Sequence, residues 1–108
     1  SGDDSVTVPA MSLGAKGVIS VAANVIPKEM SELTKLCEQN KYAEAATLGF
    51  KINPFVKKLF CEVNPIPCKK ALQLMGINVG APRLPLTELE PAHTEALADE
   101  MKKLKLIK

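Results

Sequence analysis

The stretch that most constrains the fold is residues 17–24, Gly-Val-Ile-Ser-Val-Ala-Ala-Asn. It contains a short apolar run, rich in β-branched residues, that begins after a glycine and ends before an asparagine. Such a run is typical of a parallel strand buried on both faces, whereas an exposed antiparallel strand alternates polar and apolar residues. A buried helix is the alternative, but the run is short for one. The sequence therefore predicts a strand over residues 17–21, which needs partner strands from elsewhere.

Composition excludes several classes of protein. The 108 residues are 46% hydrophobic and 24% charged, which is typical of one globular domain and excludes a disordered chain. A net charge of +2, with no tryptophan and one tyrosine, does not suggest a nucleic-acid partner. No apolar stretch approaches the roughly 20 residues needed to span a bilayer, so no membrane partner is expected. Three dispersed cysteines and no signal-peptide pattern favour reduced thiols in the cytoplasm.

Most of the remaining sequence is predicted to be helical. Asp3 or Asp4 can cap a first helix that ends at Gly14. Thr87 and Glu90 have the spacing of a capping box for the last helix, which starts near Pro91. The predicted helices cover residues 5–13, 27–39, 42–60, 67–75 and the segment that begins near residue 91. The expected architecture is thus one βα fragment followed by four helices.

Few residues suggest chemistry by themselves. Asp3 and Asp4 either cap the first helix or line a ligand site, because ligands bind at the carboxyl ends of parallel strands. Cys61 and Cys68 are interpreted as structural thiols rather than a metal pair, since no histidine lies in their segment. His93 is interpreted as a packed or partly exposed ring. No catalytic set, metal site or cofactor site is predicted from these residues.

Four segments are more specific than these single residues as indications of a protein family. They are Ser-Gly-Asp-Asp at residues 1–4, Gly-Ala-Lys-Gly-Val-Ile-Ser-Val-Ala-Ala-Asn-Val at 14–25, Glu-Val-Asn-Pro-Ile-Pro-Cys-Lys at 62–69 and Arg-Leu-Pro-Leu at 83–86. In this order they closely resemble the C-terminal part of the dihydrodipicolinate synthase family, which is related to N-acetylneuraminate lyase and the class I aldolases. The resemblance covers the whole chain. One departure is Cys68, where the family commonly has valine.

The resemblance implies a fold. The family has a (β/α)₈ TIM barrel followed by a small helical C-terminal domain. Residues 1–26 would be the remnant of the barrel, consisting of the tip of strand seven, its helix and strand eight. Residues 27–108 would be the last barrel helix and the C-terminal helical domain. The chain itself is therefore expected to be mainly α, as the C-terminal fragment of a barrel protein.

The resemblance also implies an activity for the intact parent. Family members are lyases that condense pyruvate with L-aspartate semialdehyde in lysine (diaminopimelate) biosynthesis, without a cofactor. Pyruvate forms a Schiff base with a lysine on strand six, and tyrosines relay protons. These residues would lie upstream of Ser1, so the 108 residues alone are expected to be inactive. The parent is expected to be a cytoplasmic homotetramer, a dimer of dimers.

Four substrate-binding residues follow from the resemblance. Ile19 matches the strand-eight position whose backbone lies against pyruvate, and Gly2 and Asp3 match the strand-seven end of the pocket. Asn64 lies in the turn that approaches the pocket mouth. No residue of this chain matches a catalytic or metal-binding position.

Two other hypotheses remain open. The chain could be an independent helical module that self-associates through the apolar faces it would otherwise pack against a barrel. It could also complement a separate N-terminal chain in a two-chain enzyme.

Overall fold

A computed structural model describes all residues, 1–108. The fold is helical and contains no strand, which confirms the mainly-α prediction. Two short 3₁₀ helices, Asp4–Val6 and Ala22–Asn24, accompany the α-helices. The α-helices are α1 (Thr7–Ser12), α2 (Pro27–Glu38), α3 (Tyr42–Lys58), α4 (Ile66–Leu74) and α5 (Pro91–Lys103). None of these helices combines the length and the apolar character needed to cross a membrane.

The helix ends follow from local sequence. Pro27 occupies the first turn of α2, where its missing N–H would have no helical partner anyway. At the other end of α2, Asn40 has a φ of 59°, and the N–H of Lys41 donates to the Leu36 carbonyl at 2.8 Å. This is a Schellman ending, which needs a left-handed residue after the helix. Gly14 and Gly76 end α1 and α4 in the same way, as predicted.

The predicted strand over residues 17–21 is wrong for this chain. Residues 15–20 lie outside any helix or strand. Ser1 pairs with this segment through its backbone: its amino group donates to the Gly17 carbonyl at 3.2 Å, and the Ile19 N–H donates to the Ser1 carbonyl at 2.8 Å. These two bonds have the pattern of a parallel strand pair. Because Ser1 alone makes both bonds, the pair is too short to form a strand. The predicted tip of strand seven, at residues 1–4, is therefore not a strand either.

The predicted capping box before α5 is also wrong. Glu90 occupies the N-cap position but makes no side-chain capping bond, and Thr87 does not cap the helix. The backbone N–H of Glu90 instead donates to the Glu62 carboxylate at 3.0 Å. Glu62, which is 28 positions away in the sequence, therefore supplies the hydrogen-bond acceptor at the start of α5 that the neighbouring residues do not supply.

The chain divides into two compact units, Ser1–Val56 and Lys57–Lys108. In the first unit α1 packs against α2, and in the second α4 packs against α5. Both cores are mainly aliphatic, as the low aromatic content requires, with Phe55 the one fully buried aromatic residue. The buried apolar residues of the first unit are Met11, Ala22, Val25, Ile26, Met30, Leu33, Cys37, Ala45, Ile52, Phe55 and Val56. Those of the second unit are Leu59, Ile66, Cys68, Ala71, Leu89, Leu97 and Met101.

Candidate functional site

The Asp4 carboxylate organises the start of the first unit. Asp4 is 3% exposed and accepts hydrogen bonds from the Ser20 hydroxyl and from the N–H groups of Val21, at 3.1 Å, and Ala22, at 3.0 Å. The Ser20 hydroxyl oxygen accepts in turn from the Ala23 N–H at 2.9 Å. A carboxylate offers about four acceptor positions, and three of them are used here. Asp4 therefore fixes the start of the second 3₁₀ helix.

Asp3 has a different role, although it is the neighbouring residue. Its Oδ1 atom accepts from the Ser5 N–H at 3.0 Å and from the Ser5 hydroxyl at 2.8 Å. Asp3 is thus the N-cap of the helical segment that begins at Asp4, as predicted. The side chain is exposed and only one of its oxygens is engaged. The second oxygen is available to a ligand.

The other predicted site residues are exposed as well. Nothing lies within 4 Å of the position that a Cβ atom would take at Gly2. The Ile19 side chain is 86% exposed, while its backbone is held by Ser1. The chain therefore brings Gly2, Asp3 and Ile19 into one neighbourhood of the first unit. Asn64 is exposed in the turn before α4 and belongs to the second unit.

A cavity of about 640 Å³ lies in the same unit. Its lining comes from the end of α1, residues 14–18, α2 and the start of α3. Neither Gly2, Asp3 nor Ile19 lines it. Gly2, Asp3 and Ile19 thus lie on an open surface of the first unit rather than in this cavity.

A second polar cluster lies in the second unit. The Nδ1 atom of His93 is 2.6 Å from Oε2 of Glu62 and 3.8 Å from Oε2 of Glu90. The hydrogen bond with His93, together with the one from the Glu90 N–H, lowers the pKa of the Glu62 carboxyl. The His93 ring is partly exposed, as predicted. It is also bonded to the carboxylate of Glu62, which comes from another segment.

The sequence alone does not reveal this cluster, because its members are distant along the chain. Glu62 and His93 are separated by 31 positions, with the cluster closed by the folding of α4 and the connector after it. Glu90 and His93 are only three positions apart, but their common partner Glu62 is distant in the sequence. Cys37 and Cys61 form no disulfide in this structure. The reduced state of the thiols stays a prediction.

Comparison with known proteins gives a consistent result over the whole length of the chain. The model of the dihydrodipicolinate synthetase family matches residues 1–104. The 4-hydroxy-tetrahydrodipicolinate synthase of Methanosarcina barkeri is 45% identical over 107 residues, which are 99% of this chain and 37% of that protein. The chain thus spans little more than a third of the length of the relatives it matches.

Solved structures agree with this result. The crystal structure of dihydrodipicolinate synthase from Aquifex aeolicus superposes with a TM-score of 0.94 at 44% identity, covering 97% of this chain and 36% of that one. The enzyme from Acinetobacter baumannii, complexed with pyruvate, superposes with a TM-score of 0.92 at 45% identity, covering 98% and 36%. Nearly the whole chain therefore superposes on about a third of each of these synthase structures. The chain belongs to the dihydrodipicolinate synthetase family.

Proposed function

We propose that these 108 residues are the C-terminal part of a 4-hydroxy-tetrahydrodipicolinate synthase. The intact parent is a lyase that condenses pyruvate with L-aspartate semialdehyde in lysine biosynthesis. The observation that carries the proposal is the match of nearly the whole chain, at 45% identity, to just 37% of a synthase. A domain that had evolved a separate function would not be expected to retain this similarity along its whole length.

The loop of residues 15–20 supports the proposed relation to a barrel. Its backbone pairs with Ser1 in the parallel pattern, and the Ile19 side chain has no cover. In a closed barrel, neighbouring strands would extend this pair into a ladder. Residues 1–26 are then the barrel remnant, and residues 27–108 are the last barrel helix and the C-terminal helical domain.

The proposed role of this chain in the chemistry is to shape the pyruvate site. Imine formation needs a lysine whose pKa is lowered by its surroundings, and the parent supplies that lysine outside the matched residues. In this chain the Ile19 backbone, Gly2 and the unengaged Asp3 oxygen lie at the ends of the paired segments, where barrel enzymes bind substrate. Asn64 is proposed to approach the mouth of the site. The parent is proposed to be cytoplasmic and to assemble as a dimer of dimers.

Inactivity of the 108 residues is tested by borohydride trapping with pyruvate. The M. barkeri synthase treated in parallel is the positive control. We expect intact-mass measurement to show a pyruvate adduct on the control and none on this chain, and no turnover with aspartate semialdehyde. An adduct on one lysine per chain, or measurable turnover, would contradict the proposal.

The substrate-binding role is tested in a chimera that carries this chain in place of the matched part of the M. barkeri enzyme. Gly2→Leu adds bulk at the proposed pocket edge, in a place with free space around it. Gly17→Leu is the matched control, because it adds the same bulk in equally free space at a residue that is not assigned to substrate binding. We expect only Gly2→Leu to raise KM for pyruvate. Equal effects of the two changes would contradict the assignment.

Self-association is a second candidate function, and one observation favours it. Three large apolar side chains of the first unit, Leu13, Ile19 and Phe50, are 89%, 86% and 77% exposed. Sedimentation velocity of the isolated chain tests this function. Reversible dimers that dissociate in Phe50→Ser but not in the surface variant Glu95→Gln would support it, whereas a monomer at all concentrations would exclude it.

A further inference from the structure

The cluster of Glu62, Glu90 and His93 has the composition of a metal site. One carboxylate comes from the loop after α3, and the other two side chains come from the first turn of α5 and its N-cap. Their ligand atoms all lie within 4.8 Å of one another. Imidazole and carboxylate are the nitrogen and oxygen ligands of zinc. Glu90 and His93 lie three positions apart, Glu90 at the N-cap of α5 and His93 in its first turn.

The distances fit a tetrahedral ion after small movements. Two ligands about 2.1 Å from a tetrahedral zinc are roughly 3.4 Å apart. The Nδ1 atom of His93 is 2.6 Å from Glu62 and 3.8 Å from Glu90, so the two observed separations lie on either side of that value. His93 and Glu90 have side chains that are 41% and 70% exposed, which leaves them free to adjust.

The hydrogen bonds around Glu62 are compatible with an ion. Oε2 of Glu62 accepts from the Glu90 N–H at 3.0 Å, which orients the carboxylate towards His93. A carboxylate has further lone pairs for a metal ion, so this bond can persist when the ion binds. The His93 proton moves to Nε2 in the tautomer that coordinates through Nδ1.

We propose that Glu62, Glu90 and His93 bind a divalent transition-metal ion of the zinc class, with water as the remaining ligand. The ion replaces the hydrogen between Glu62 and His93 and joins the loop after α3 to the start of α5. The site is structural, and it uses none of the residues that the proposed function assigns to substrate binding.

Calorimetric titration of the metal-free 108-residue chain with Zn²⁺ tests the proposal. We expect one ion per chain, and a loss of affinity of at least about tenfold in both Glu90→Ala and His93→Ala. Glu62 is left unchanged, because its carboxylate also accepts from the Glu90 N–H at the start of α5 and its removal would disturb the fold. Glu95→Ala is the control, since Glu95 is exposed on the same helix. Circular dichroism verifies that each variant is folded.

The cysteines provide the main competing explanation. Cys61 is adjacent to Glu62 and is partly exposed, so the titration is repeated with Cys61→Ser. We expect unchanged zinc affinity in Cys61→Ser, and a Co²⁺ spectrum without a thiolate charge-transfer band. No saturable binding, binding unaffected by Glu90→Ala and His93→Ala, or binding lost in Cys61→Ser would each overturn the proposal.

Discussion

The buried carboxylate of Asp4 accepts a hydrogen bond from the hydroxyl of Ser20, sixteen positions further along the chain. The same carboxylate accepts from two backbone N–H groups that follow Ser20. This connection fixes the loop of residues 15–20 to the N-terminal segment, although no strand forms. The placement of Ile19, and with it the proposed substrate surface, depends on this carboxylate.

Asp4→Ala is expected to destabilise the first unit by about 2–4 kcal/mol, because one buried N–H group, one partly buried N–H group and one hydroxyl lose a charged acceptor. Asp4→Asn retains one acceptor oxygen and should cost less. Tyr42 is the only tyrosine and there is no tryptophan, so intrinsic fluorescence during urea unfolding reports on the first unit. The control Asp3→Ala removes an exposed cap and should cost about 1 kcal/mol. Equal losses for the two aspartates would contradict the role of Asp4.

Leu97→Ala is expected to destabilise the second unit by about 2–5 kcal/mol, since the side chain is fully buried and leaves a cavity. The matched control is Leu84→Ala, because Leu84 is 87% exposed in the same unit. Thermal unfolding followed by circular dichroism measures both. A Leu84 variant as unstable as the Leu97 variant would contradict the described core.

Lys69 holds the connector between α4 and α5. Its ammonium group donates to the carbonyls of Val79 and Ala81, each at 3.3 Å. Lys69→Met should loosen this segment and speed cleavage after Arg83 by an arginine-specific protease several-fold. Arg83 is the only arginine, so one cut reports on one place. Lys102→Met removes the same charge from an exposed position and should leave the rate unchanged. Equal rates in the two variants would show that Lys69 does not hold the connector.

Burial raises the pKa of the Cys61 thiol, and the neighbouring Glu62 charge raises it further. A raised pKa means less thiolate, and therefore slower alkylation, than for an unperturbed cysteine at about pH 8. Glu62→Gln removes the negative charge, so it should lower the pKa of Cys61 and speed its alkylation by iodoacetamide. Tandem mass spectrometry separates Cys61 from Cys37, which is buried and serves as the internal control. Slower labelling of Cys61 in Glu62→Gln would contradict the charge effect.

Local patterns predicted what is local. Gly14, Asn40 and Gly76 ended helices because each adopts a positive φ, and Pro27 began one because of its ring. The strand over residues 17–21 failed because a strand depends on partners, and Ser1 provides only two bonds. The capping box of α5 was wrong and the cluster around His93 was missed for a related reason. Glu62 contacts Glu90 and His93 from 28 and 31 positions away in the sequence.

The site could be predicted only through the resemblance of the chain to a family. Composition and spacing alone could not single out Gly2 or Ile19. Gly2 has no side chain, and Ile19 is proposed to act through its backbone. Asp3 and Asp4 were recognised as a pair, but their different roles depend on burial. That difference became visible only when residues 20–22 were placed beside Asp4.

The activity of the chimera decides whether this chain can complete a synthase, as we propose. The 107 matched residues of this chain replace the part of the M. barkeri enzyme to which they are 45% identical. The measurement is the rate of condensation of pyruvate with aspartate semialdehyde, compared with the parent enzyme and with the 108 residues alone. The account predicts activity in the chimera and none in the isolated chain. A folded, soluble chimera without activity would contradict it.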